Sequence, residues 1–180
     1  AYEEVLFVCG PFGNGPPLTE FLERFRGVRL VGLNLTMLEP LEDWDPTSLL
    51  IERDSSRTTR PDLAFLSDAP KVPVIGLVLI DSQPEYGARD LHARANDAIE
   101  ALISSRELAV VRIDTRLDVN STQLRTPGEV ESLIARMDAV VTTRLHGLVL
   151  ALKNGVPALA IDTVAGGAKV SRQAEVLAWP

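Results

Sequence analysis

Two stretches of the sequence set cations beside turns that open helices. The first is Thr142-Thr143-Arg144-Leu145-His146-Gly147, which joins an apolar run to a helical pattern. The second runs from Asp162 to Arg172 and carries Gly166-Gly167 ahead of Lys169, Ser171 and Arg172. A helix start presents free backbone N–H groups and the positive end of the helix dipole, so either junction can hold an anion. Arg144 and Arg172 would add bidentate geometry and Lys169 a compact charge. The two glycines would let a ligand approach the backbone closely, with Lys169 reaching over it. His146 can move a proton near neutral pH or hold a phosphate oxygen. Together these residue types point to a small, multiply charged anion such as phosphate. Structural readings stand beside this one: His146 can cap its helix or sit half buried, and Arg144 can pair with an acid such as Asp162. His92, at the edge of a helical stripe, reads as structural.

Other chemistries find less support. Two histidines far apart and a lone Cys9 form no zinc pattern, so no metal site is expected. There is no Gly-rich dinucleotide fingerprint, Walker loop or G-x-S-x-G turn.

The elements that must position these residues follow from periodicity. Apolar runs at Val5–Cys9, Val28–Leu35, Ser48–Glu52, Val72–Ile80, Leu108–Ile113, Asp138–Thr142 and Val156–Ile161 read as strands. Helical spacing marks Leu18–Arg26, Gly87–Glu107 and His146–Lys153. Thr126-Pro127-Gly128-Glu129 opens a helix with Pro at its start, and Ser171 is expected to cap a last helix ending near Leu177. Thr36 to Pro46 reads as an acidic loop. Alternating strands and helices make an α/β chain with Rossmann-like parallel sheets. A linker around Ser67 to Lys71 divides it into a first lobe, residues 1–68, and a Rossmann-like second lobe, residues 69–180, which carries both candidate anion-binding turns.

The chain has 180 residues and a formal net charge of −7. Its first 70 residues hold 12 acids against 6 bases, and the remainder 13 against 12. So uneven an acidic balance argues against nucleic-acid or anionic-membrane partners, although one local anion pocket needs only a few cations. No apolar run reaches the roughly 18 residues of a membrane span, and the chain is expected to be soluble and cytoplasmic.

Several of these residues carry a family likeness. Thr143-Arg144-Leu145-His146-Gly147, the Ala151–Ile161 stretch and Gly166-Gly167-Ala168-Lys169-Val170-Ser171-Arg172-Gln173 resemble the polysaccharide pyruvyl transferase family. Arg53-Asp54-Ser55 is similar to its R-D-x-x-S element, and Asp62-Leu63-Ala64-Phe65 to its D-P-A-F element with Leu63 for Pro. Gly13-Asn14-Gly15 lacks the Asp of the family's Gly-Asn-x-Gly-Asp element. The resemblance implies a GT-B-like arrangement of two lobes, with residues 1–68 as the possible acceptor side. It also implies phosphoenolpyruvate as donor substrate, no cofactor, and a carbohydrate acceptor that becomes a pyruvate ketal. Arg144, His146 and Lys169 would be catalytic, with Arg53, Thr143, Gly147, Gly166, Gly167, Ser171 and Arg172 binding substrate. Two alternatives stand beside it. One is a GT-B glycosyltransferase using a nucleotide sugar, for which Asp43-Trp44-Asp45 offers a D-x-D triplet. The other is a catalytically silent anion- or sugar-binding module, which the short first lobe favours.

Overall fold

The computed structural model describes residues 2–180. Two compact units divide the chain, Ala1–Ala69 and Pro70–Pro180.

In the first unit, β1 (Glu4–Val8), β3 (Arg29–Leu33) and β5 (Leu49–Ile51) form a parallel sheet in the order β1-β3-β5. Two short strands, β2 (Pro11–Phe12) and β4 (Thr36–Met37), pair in parallel beyond it. β4 occupies the beginning of the stretch that sequence assigns to a loop. Its Met37 is buried with Phe12 and Leu35, and Phe7, Leu18, Trp44 and Leu50 pack around them. Helix α1 (Leu18–Arg24) bears Leu18 and Phe21, and Phe21 stacks edge-on with Phe7 at 5.4 Å. Trp44 lies 5.3 Å from Phe12, and Asp45 accepts hydrogen bonds from Thr47, so the Asp43-Trp44-Asp45 triplet serves core and turn.

The second unit contains β6 (Val74–Val78), α2 (His92–Ser104), β7 (Ala109–Arg112), α3 (Pro127–Ile134), β8 (Ala139–Thr142), α4 (Leu145–Lys153), β9 (Ala158–Ala160) and α5 (Lys169–Val176). Its four strands are all parallel, in the order β7-β6-β8-β9. Both faces of the sheet are covered, as a parallel sheet requires. Val78 and Val140 join Ile134, Leu148 and Val170 in one cluster. Their neighbours Leu77 and Val141 join Ile99 of α2 in another. Alternation along each strand therefore feeds two cores, and the sheet is doubly wound and Rossmann-like.

This order fixes where a ligand can bind. The chain leaves β6 toward β7 and later returns to the other flank of β6 as β8. Loops after β6 and β8 thus part above neighbouring strand ends, at the topological switch point. The Arg144–His146 turn stands there.

Two helix starts differ from expectation. Helix α2 begins at His92, not Gly87, because Gly87 has φ 52° and kinks a 3₁₀ segment, Pro84–Arg89, that closes before the helix. The Asp90 carboxylate then accepts from the His92 N–H at 2.9 Å. Helix α5 begins at Lys169, so Ser171 lies within its first turn and does not cap it. No described helix is long and apolar enough to cross a membrane.

Candidate functional site

The turn after β8 is built by two threonines. Thr142, fully buried, donates from its hydroxyl to the Val78 carbonyl at 2.8 Å and accepts from the Arg144 N–H at 2.9 Å. Thr143, also buried, accepts from the Ile80 N–H at 3.0 Å. Both lock the turn to the chain leaving β6. Helix α4 then crosses so close that a Cβ on Gly147 would lie 2.1 Å from Thr142 Oγ1 and 3.0 Å from Val78 Cβ. Only glycine allows this approach, and it explains Gly147 in the motif by packing.

This turn lines a cavity of about 430 Å³ together with the loop after β9. Thr143, Arg144, His146 and Lys169 face it, as do Arg116 and Asp162. Gly147, Gly166, Gly167, Ser171 and Arg172 lie outside its lining. His146 and Lys169 are exposed, and neither side chain has a hydrogen-bond or ion-pair partner among the described residues.

Arg144 is paired, and with Asp114 rather than Asp162: Nη1 to Oδ1 is 2.7 Å, with both side chains about 15% exposed. Asp114 closes the end of β7 by accepting also from the N–H groups of Arg116 and Ser121 and from the Ser121 hydroxyl. Burial pushes its pKa up, but these bonds outweigh it and hold the carboxyl below the usual range. Charged and fixed, it aims the guanidinium of Arg144. Asp114 and Arg116 escape sequence inspection because no motif contains them. Their position just after a β-strand at its carboxyl end is the one signal that could have found them.

The glycine-bearing loop works differently from the sequence reading. Gly166 and Gly167 adopt φ of 84° and 78° and fold the loop back. The Asp162 carboxylate consequently accepts from the N–H groups of Ala168 at 2.7 Å, Ser171 at 2.9 Å and Val164 at 3.2 Å. Burial raises its pKa, and these N–H bonds more than offset that. Two donors at the α5 start, the N–H groups of Ala168 and Ser171, are thus taken by an anion of the protein itself. Lys169 remains as the loop's contribution to the cavity.

One more arrangement supports the rim. His92 is 1% exposed, and its Nδ1 lies 2.6 Å from Asp90 Oδ1, in keeping with the structural role expected of it. Asp90 also accepts from the Ser82 hydroxyl and the Gln83 N–H, and Gln83 lines the cavity. The His92 N–H and side chain, with Gln83 and Ser82, hold the Asp90 carboxyl well below its usual pKa against a smaller effect of burial.

Arg53 belongs to the first unit, where its guanidinium is already engaged. Nε meets Asp54 at 2.9 Å, Nη1 meets Asp62 at 2.8 Å, and Nη2 donates to the Thr36 hydroxyl. Asp62 caps the turn at Leu63–Leu66 and accepts from Asn34, and with Arg53 these bonds lower its pKa to about 2. One ion pair therefore ties the Arg53-Asp54 element to the Asp62–Phe65 element. Beside it, fully buried Glu52 accepts from Ser55, Arg57 and Arg60. Burial favours its neutral form, but the hydrogen bonds prevail and bring its pKa down to about 2. Among the described residues no His, Cys, Asp and Glu side chains gather in threes as a metal site would need.

A family model described as polysaccharide pyruvyl transferase matches residues 50–163. The matched span takes in the Arg53–Asp62 ion pair, the Thr143–Gly147 turn and Asp162, and ends before Lys169. No curated protein and no solved structure matches the chain.

Proposed function

The chain belongs to the polysaccharide pyruvyl transferase family, and from that premise we propose that it moves pyruvate from phosphoenolpyruvate to a sugar of a cell-surface polysaccharide, as a ketal. The observation that carries this reading is the pocket of about 430 Å³ at the switch point, where Arg144, His146 and Lys169 converge on one volume. Phosphoenolpyruvate has two anionic groups, and the pocket offers a fixed guanidinium and an unpaired ammonium. Arg144, aimed by Asp114, holds the carboxylate. Lys169 neutralises the phosphate, whose leaving is favoured by a cation on the developing charge. His146 gives its proton to the methylene carbon as a sugar oxygen bonds to C2, the C=C π electrons taking that proton while the attacking hydroxyl's own proton passes to a general base on the acceptor side. A second sugar hydroxyl then displaces phosphate from C2, and its proton leaves with the phosphate. Donor and sugar supply every atom of the ketal, so no cofactor is required. A GT-B-like pairing of two lobes and a cytoplasmic setting, which suits the free Cys9, are parts of the same proposal.

Calorimetry with phosphoenolpyruvate and phosphate release with and without sugar acceptors test this. Replacing Lys169 with Ala or Arg144 with Lys should weaken donor binding roughly tenfold or more, the scale of a hydrogen bond to a charged group. His146→Ala should leave donor affinity nearly intact and slow turnover at least about 100-fold. Unchanged turnover in that variant removes His146 from the reaction.

A further inference from the structure

A second cavity, of about 450 Å³, shares Ile80, Arg116 and Arg144 with the first. It lies over the carboxyl ends of β6 and β7, between Leu79, Asp81 and Ser82 on one strand's exit and Val119 and Ser121 on the other's. The two cavities differ in what they leave unsatisfied. In the first the unpartnered groups are His146 and Lys169, which suit an anion. In the second the cations are already met: Arg112 by Glu100, Arg116 by Asp118 and Arg144 by Asp114. Asp114 is likewise saturated by its four donors. The group left free is a carboxylate, because Asp81 is exposed and has no bonded partner among the described residues.

A free acceptor beside an apolar wall matches a pyranose, which presents hydroxyl donors around its rim and C–H groups on its face. We propose that this cavity is the acceptor subsite, with a sugar ring against Leu79 and Val119 and one hydroxyl donating to Asp81. The assignment rests on the donor reading above, because the two cavities meet at Arg144 and so bring a hydroxyl toward C2 of phosphoenolpyruvate. As the oxygen–C2 bond forms, the donor's double-bond electrons take the proton from His146 at the methylene carbon. The hydroxyl proton passes to Asp81, and the phosphate later leaves with the proton of the second hydroxyl. The acceptor is thereby placed within Pro70–Pro180, whereas the sequence reading assigns that side to residues 1–68.

Saturation-transfer NMR with the methyl α-pyranosides of glucose, galactose and mannose tests the subsite, with phosphoenolpyruvate calorimetry on the same samples. Val119 is 69% exposed, so Val119→Trp fills the cavity without entering the core. Wild-type chain should give transfer to at least one glycoside, Val119→Trp should abolish it, and Asp81→Ala should weaken it about tenfold, as loss of a charged hydrogen-bond acceptor does. Both variants should keep wild-type affinity for phosphoenolpyruvate, which also reports that they are folded. Absence of transfer from all of these glycosides in the wild type, or undiminished transfer in Val119→Trp, overturns the subsite. Absence of phosphoenolpyruvate binding in the wild type overturns the donor reading instead, and transfer lost in Val119→Trp would still establish a sugar site.

Discussion

The starts of α4 and α5 look alike in sequence and behave oppositely in the fold. Each follows a parallel strand, each contains glycine, and each carries cations. At α4 no side chain among the described residues caps the helix: Arg144 occupies the cap position in extended backbone and sends its side chain to Asp114. At α5 the Asp162 carboxylate fills the place an external anion would take. The glycines divide the same way. Gly147 permits close packing of a helix on a strand, whereas Gly166 and Gly167 supply left-handed backbone that wraps a loop around a carboxylate. Anion capacity therefore resides where the backbone donors are left open and the nearby cation is free or fixed, and a count of glycines and cations does not reveal which start that is.

The largest effect expected from this contrast is at Gly147. An alanine there must push α4 away from Thr142 and Val78, since contacts of 2.1–3.0 Å cannot be absorbed by a flexible chain end. Gly147→Ala should lose about 3 kcal/mol or more, the upper end of the range for overpacking. Gly128→Ala, where the nearest atom is 4.0 Å away, serves as the matched control near the start of α3. Urea unfolding of the two variants checks this, and equal stabilities would mean that the α4 start is not anchored on its strand.

Asp162→Ala comes next, at about 2 kcal/mol, the top of the range for losing a helix cap. The sign with pH is fixed by the direction of the shift. The carboxyl titrates below its reference value of 3.8 in the folded chain, so its contribution is complete above that pH and fades as pH falls further. The stability gap between wild type and variant should hold from neutrality to about pH 5 and narrow below about pH 4. Inorganic phosphate should also stabilise Asp162→Ala more than it stabilises the wild type, because the variant opens the α5 donors. A phosphate response no larger than wild type would break the comparison.

These particulars show how far the sequence can be read. Continuous apolar runs at Val72–Ile80 and Asp138–Thr142 disclose covered parallel strands, because burial on both faces removes the polar alternation. Arg144, His146 and Lys169 could be grouped because strand ends of a doubly wound sheet point the same way. What stayed hidden depends on long-range pairing. The Arg144–Asp114 pair spans 30 residues and the Thr143–Ile80 bond 63, so no local spacing encodes them. Asp162 was legible only as a possible surface partner, since its capping role needs the loop to close first. Glu52 read as the end of a strand, and its burial with Arg57 and Arg60 emerges only when the turn after it folds back.

The smallest effect belongs to a third helix start, α3, which closes itself with purely local residues. Thr126 accepts from the Glu129 N–H at 3.2 Å, and the Glu129 carboxylate accepts in return from Thr126 and Arg125. Such a reciprocal box satisfies orphan donors without help from another strand or loop. Thr126→Ala removes one acceptor from an exposed site where water can replace it, so the cost should be about 1 kcal/mol in urea unfolding. Phosphoenolpyruvate affinity should not change, because neither residue lines the donor cavity. The Asp162→Ala variant shares the capping chemistry but sits on that cavity, so it should alter both stability and anion response. If Thr126→Ala moved the two together, the difference between a self-closed start and one closed at the site would disappear.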